Sequence, residues 1–413
     1  MSSWKQVICG LVLWVGCCFS SGFCLAQDFQ AYVAKAQYSQ AIASYEGVLR
    51  DRPDDDEARF RLGVAQFLQT LESLGQAWHR HGQVDGFLTS MVPLLRLDVP
   101  QNAQPEPISY DQFRSILQQT LERLQVSEAT LAGIKSNDVA LELDLLNISM
   151  DWDADQKVDS HDNLLRSFQQ VIGNRVPMNP AQGFVVRFDA ADVQWLRGYC
   201  HLLMGMCEFS LAYDQEDFWN VTARRVFSQA QTPFDFLNEE PRVDDNWDMN
   251  LILDAIAGIH QLRFPIREPE RMQRALAHVK QTIQLSREMW KLVEAETDDN
   301  REWIPSPGQK PPFPGGAVSR EMIVGWHEFL DEAEEILDGK KLVPFWRGTN
   351  PRRGVNVHRF FVEPTDFDLV LWFHGSGARG YLQEDLPVTT PETWRRFERI
   401  FRGEFIGFAI WFN

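Results

Sequence analysis

Residues 32–63 read YVAKAQYSQAIASYEGVLRDRPDDDEARFRLG, and the reading of this stretch decides the fold. The surrounding segment, 28–82, is expected to be helical on both sides of a break at Arg52-Pro53-Asp54-Asp55-Asp56. Proline cannot continue a helix, so Pro53 stops the first one before Asp56 can cap the second. Small side chains such as Ala41 let paired helices approach closely. The expectation is an antiparallel helix pair.

Here the chain resembles the tetratricopeptide repeat. Tyr32, Ala41, Tyr45 and Pro53 stand where one 34-residue repeat places an aromatic, a small residue, an aromatic and a helix-ending proline. Leu62-Gly63 falls where the next repeat places its Leu-Gly pair, and Gly75, His79 and Gly82 take that repeat's closing positions, two of them off pattern. About one and a half repeats are matched. The resemblance implies stacked helix pairs and a surface that binds another protein.

Working outward, residues 1–26 read as a cleavable secretory signal. Lys5 supplies the positive start, residues 7–25 carry no charge, and Cys24-Leu25-Ala26 sets small side chains at the positions a signal peptidase reads. A lipoprotein signal using Cys17 is the weaker alternative. The expected location is periplasmic or secreted, with no transmembrane segment in the mature chain. Four of the six cysteines lie in this leader, leaving Cys200 and Cys207. On a helix, seven residues at about 1.5 Å each separate these two by roughly 10 Å, too far for a disulfide. They are expected as small apolar core residues.

The whole chain has 40 Lys and Arg against 58 Asp and Glu, a net charge of −18. Without Lys5 the balance is 39 against 58, or −19. Such a chain repels nucleic acid and favours cations or basic partners.

The expected class is mainly α, with repeat-like helix pairs, a helical body and a small α+β C-terminal portion. The signal at 1–26 precedes a tetratricopeptide-like region at 27–97. A proline-rich linker at 98–108 leads to a helical body at 109–303. A Pro/Gly linker at 304–316 and a C-terminal region at 317–413 follow. Helices are expected near 110–134, 190–214, 216–230, 246–262, 268–296, 319–338 and 391–402. Leu141-Glu142-Leu143-Asp144-Leu145 alternates as a half-buried strand does. Residues 355–362 and 367–373, rich in β-branched and aromatic side chains around Glu363-Pro364-Thr365-Asp366, are expected to form a β-hairpin. Three stretches, residues 195–203, 301–305 and 403–408, make the chain similar to exported bacterial proteins that carry tetratricopeptide repeats; that likeness implies no activity.

One motif carries chemistry. Residues 151–162, Asp-Trp-Asp-Ala-Asp-Gln-Lys-Val-Asp-Ser-His-Asp, resemble the EF-hand calcium loop. Asp151, Asp153, Asp155, Asp159 and Asp162 stand at loop positions 1, 3, 5, 9 and 12, and Lys157 would lend its backbone carbonyl at position 7. Ca²⁺ takes six to eight oxygens, and this spacing wraps them around one centre. Gln156 replaces the glycine of the sharp turn, and Asp162 replaces the longer glutamate, which favours weaker binding or Mg²⁺. A weak site suits an extracytoplasmic compartment, where sites of about 10⁻⁴ to 10⁻³ M suffice.

Other candidates fail. Residues 369–377 resemble the strand and His-Gly turn of α/β-hydrolases, but no Gly-x-Ser-x-Gly follows. His79 and His81 point apart on a helix. His201 and Glu208 are expected to satisfy local hydrogen bonds. The sequence thus favours an exported, non-enzymatic interaction or scaffold protein with a protein partner and one Ca²⁺ loop. The alternative is an enzyme with its site in 139–375.

Overall fold

The computed structural model describes residues 29–86, 89, 92–167, 183–239, 249–312, 316–401, 405, 408 and 409. The expected signal at 1–26 lies outside them. The chain is mainly α with a small β portion. Among the described residues no helix is long and apolar enough to cross a membrane.

A series of long helices sets the frame. α1 (Tyr38–Asp51) and α2 (Asp56–Arg80) form the expected pair, with the break at Pro53. Asp55, not Asp56, is the N-cap: its carboxylate accepts from the Ala58 backbone N at 2.9 Å. Asp56 instead reaches across to accept from the backbone N of Lys135 and Ser136. α3 (Tyr110–Ala132) starts at a Ser109–Gln112 capping box. α4 (Ala190–Ala212) starts at an Asp189–Asp192 capping box. The short α5 (Glu216–Thr222) and α6 (Met249–His260) follow. α7 (Pro269–Ala295) has Pro269 in its first turn, and Ser319 caps α8 (Arg320–Leu337).

Each long helix packs on its predecessor, α1 on α2, α2 on α3, α3 on α4, α4 on α7 and α7 on α8; the α4–α7 seam is the most extensive. Close approach of α2 and α3 depends on Gly63, where a Cβ would stand 2.5 Å from Leu131. Residues 98–108 lie along this frame: Glu106 N donates to Arg80 O, and Ile108 is buried and bridged to Ala230. One contiguous apolar core runs from Phe29 to Phe408, so packing supplies the main stabilisation.

The β content is local. β1 (Leu141–Asp144) pairs antiparallel with β2 (Val185–Phe188), Leu141 opposite Phe188. β3 (Arg263–Phe264) pairs with β6 (Phe367–Asp368), and β4 (Val343–Pro344), β5 (Gly354–Val355) and β7 (Leu382–Gln383) form a small sheet.

The hairpin expected over 355–373 is replaced by two short helices, α9 (Val357–Val362) and α10 (Leu369–His374). Their caps decide this: Asn356 accepts from Arg359 N, Asp368 accepts from Leu371 N, and Gly375 at φ +94° ends the second helix. The hairpin of this region lies earlier, between β4 and β5. The helix expected over 216–230 ends at Thr222; a 3₁₀ turn at 223–225 follows, held by Arg224 and Arg225 on Asp254. α11 (Pro391–Ile400) follows, and Phe405, Phe408 and Ala409 beyond it are helical as well.

Candidate metal-binding loop

Residues 151–162 leave β1 through a 3₁₀ turn and return on themselves. Met150 N donates to Asp162 O at 2.6 Å, Leu164 N to Ile148 O at 2.9 Å, and Ser149 bridges Asn163. This closed stem is docked on α2. Trp152 is fully buried, and a Cβ at Gly75 would stand 2.2 Å from its ring, so only glycine fits there. Glu72 accepts from Asp151 N at 2.9 Å, and Gln76 donates to Asp151 O at 2.7 Å.

Within the loop, carboxylates accept from backbone N–H groups. Asp151 takes Asp155 N at 3.0 Å and Gln156 N at 3.1 Å, and Asp155 takes Lys157 N at 2.8 Å. Gln156 sits at φ +63° and Ala154 at φ +59°, so Gln156 adopts the backbone shape that the glycine of an EF-hand loop supplies. This conformation costs a non-glycine residue about 1 kcal/mol.

Of the six residues singled out by spacing, three converge. Asp151, Asp153 and Asp155 each offer an oxygen within 4.8 Å of the other two. Asp159 turns to His161, accepting its backbone N at 2.6 Å. Asp162 is buried beneath the loop, where its oxygens accept from Trp152 N and Asp159 N. Lys157 pairs with Asp155 at 3.1 Å. Val158 is exposed at its apolar position. The residues present fit the first half of a Ca²⁺ loop: three carboxylates would hold the ion, with the rest of its shell left to water and backbone oxygens.

The electrostatics are those of crowded carboxyl groups. Burial, and then the charge of Asp153, holds the Asp151 carboxyl above its usual range, while the Gln156 N–H works against both. Burial likewise raises Asp162. Glu72 is pushed up to about 7, first by burial and then by the charges of Asp151 and Asp162, against the hydrogen bond from Asp151 N. Spacing within the loop could not reveal Glu72. The signal for it is a carboxylate on α2 between the buried Leu68 and Gly75.

Other residues singled out by the sequence sit in local contacts. Glu208 is buried and held by Arg271 and Arg274 at 2.8 and 2.7 Å. His201 Nδ1 meets His278 Nδ1 at 2.8 Å, and its Nε2 faces Glu128 at 3.5 Å. Burial and then the charge of His201 lower His278. Cys200 and Cys207 are free and buried, their thiols pushed up to about 12 by burial. No family model, curated protein or solved structure matches this chain.

Proposed function

We propose that the chain is an exported, non-enzymatic interaction protein of helical-repeat type, stabilised by Ca²⁺ at residues 151–162. The observation that carries this reading is the docking of the loop. Its converging Asp151, Asp153 and Asp155 are anchored through Trp152, Glu72 and Gln76 to α2, the second helix of the repeat-like pair. A cation there would lock β1–β2 to that pair rather than serve a reaction. The partner is another protein, basic in character to suit the charge of −18. The outer face of α1, with Gln40, Ser44 and Glu46 exposed, is the open side of the repeat-like surface. A second observation favours contact with protein: α6 exposes Leu251, Leu253, Ile256 and Ile259, each more than half accessible.

The test is thermal unfolding with Ca²⁺ and with chelator. Ca²⁺ at ten times its Kd should raise the midpoint by roughly 2–4 °C, and Asp153→Asn should remove part of that rise. The same midpoint in both conditions overturns the calcium reading. For the interaction, a protein held by the wild type should be lost with Gln40→Arg/Glu46→Arg on α1, while the Ca²⁺ response stays intact; retention by that variant removes the repeat-like surface from the proposal.

A further inference from the structure

The start of α4 and the chain just beyond α7 bring four carboxyl groups together in the interior. Asp189 caps α4 and Asp192 is the third residue of its first turn. Glu296 follows directly on α7, and Glu302 is only 1% exposed. One oxygen from each of Asp189, Glu296 and Glu302 lies within 4.8 Å of the other two. Asp192 Oδ2 accepts from Asp189 N at 2.9 Å, and the charges of Asp189, Glu296 and Glu302 all act on its carboxyl. A capping box accounts for Asp189 and Asp192. It does not account for Glu296 and Glu302 arriving beside them.

The donors around this group are few. Asp189 takes Ala191 N and Asp192 N, Glu302 takes Asn300 N at 3.1 Å, and Glu296 takes Gln309 Nε2 at 3.2 Å. Arg301, adjacent to Glu302, turns outward to Glu142 at 3.0 Å. Among the described residues, two buried oxygens, Asp192 Oδ1 and Glu302 Oε2, have no hydrogen-bond partner. A buried carboxylate oxygen without a donor is strongly disfavoured, and the Arg187 charge that acts on Glu302 is the smallest of the influences on it. The four groups also repel one another: Asp189, Glu296 and Glu302 all act to raise Asp192 once burial has done so. A positive ion answers both the missing partners and the repulsion.

We propose that Asp189, Glu296 and Glu302, backed by Asp192, form a buried binding site for a Ca²⁺-class divalent cation that ties α4 to the chain after α7. The donor set is all oxygen and all anionic, which selects a hard cation over zinc or copper. Oxygens at 2.3–2.6 Å from Ca²⁺ stand up to about 5 Å apart across the ion, and the observed spread accommodates this without rearrangement. Trp303, next in sequence to Glu302, is itself buried and packs its ring 5.7 Å from that of Trp195. The site shares no residue with the 151–162 loop and stands whether or not that loop binds.

The experiment starts from the full chain with the loop disabled by Asp153→Asn and Asp155→Asn. In that background, Ca²⁺ at about 5 mM, above the range of weak extracellular modules, should raise the unfolding midpoint on the order of 2–4 °C over chelator. Tb³⁺ in place of Ca²⁺ should luminesce on indole excitation through Trp303. Adding Glu302→Gln should abolish both signals and, in chelator, raise the midpoint, because it removes one of four crowded carboxyl groups. If that variant does not fold, Glu296→Gln provides the same comparison. Identical midpoints in Ca²⁺ and chelator, with no Tb³⁺ luminescence from the folded loop-disabled protein, overturn the proposal; the carboxyls then share protons. A Ca²⁺ response present in the wild type and absent in the loop-disabled background would retain the 151–162 reading and reject this one.

Discussion

The two carboxylate groups of this protein are built in opposite ways. Asp151, Asp153 and Asp155 come from five consecutive residues, are largely exposed, and are answered by the N–H groups of their own turn. Asp189, Glu296 and Glu302 come from the start of α4 and the chain beyond α7, are half-buried or buried, and Glu302 keeps an oxygen with no partner among the described residues. The difference teaches that local spacing organises an acidic turn with no further help, whereas long-range packing forces charges together and leaves them short of partners. A cation would add modestly to the first and would answer a deficit in the second.

The largest effect should come from cutting the first group off its support. Trp152→Ala should cost about 3–5 kcal/mol in urea unfolding, because Trp152 fills the space against Gly75. A cost under about 1 kcal/mol would mean that the loop stands independently of α2. The second group should dominate the pH dependence in chelator. Burial and then Asp189 push Glu296 to about 8 from an ordinary 4.5. The folded state therefore holds this proton more tightly than the unfolded state, so its contribution is fullest below about 4.5 and is lost as pH rises towards 8. Wild type should lose on the order of 2 kcal/mol over that window relative to Glu296→Gln, after allowance for solvent screening. Parallel profiles would show that the group carries no such penalty. Next, Gln156→Gly should stabilise the fold by about 1 kcal/mol by relieving the φ of +63°, and should tighten Ca²⁺ binding in calorimetry. The smallest effect belongs to Asp159→Asn. Its carboxylate faces His161, so stability should stay within about 0.5 kcal/mol, and a large loss of Ca²⁺ response would place Asp159 in the ion's shell.

What was legible in the sequence follows the same division. Pro53 and the run of aspartates gave the α1–α2 break to within one residue of the true cap, because a helix end is settled within one turn. The convergence of Asp151, Asp153 and Asp155 was readable for the same reason. The C-terminal hairpin was misread because β-branched and aromatic content is a preference about packing, and the caps at Asn356 and Asp368 overrode it. Glu72 and the Asp189–Glu296–Glu302 group were not readable, since α2 docking on the loop and α4 packing on α7 are needed to bring them into place. Asp162 holds the right spacing yet serves the backbone beneath the loop. Spacing alone does not say which way a side chain turns.

The short contact between His201 and His278 makes the α4–α7 seam reluctant to take up a proton. With the two Nδ1 atoms 2.8 Å apart, one must donate and the other accept, and burial, then the charge of His201, holds folded His278 below its ordinary range. Once unfolded, the His278 imidazole titrates near its ordinary value of about 6.5. Unfolding below about pH 6 must therefore draw a proton from the buffer at this point. The apparent enthalpy of unfolding should then change with the buffer's own heat of ionisation, and His278→Gln should reduce that dependence.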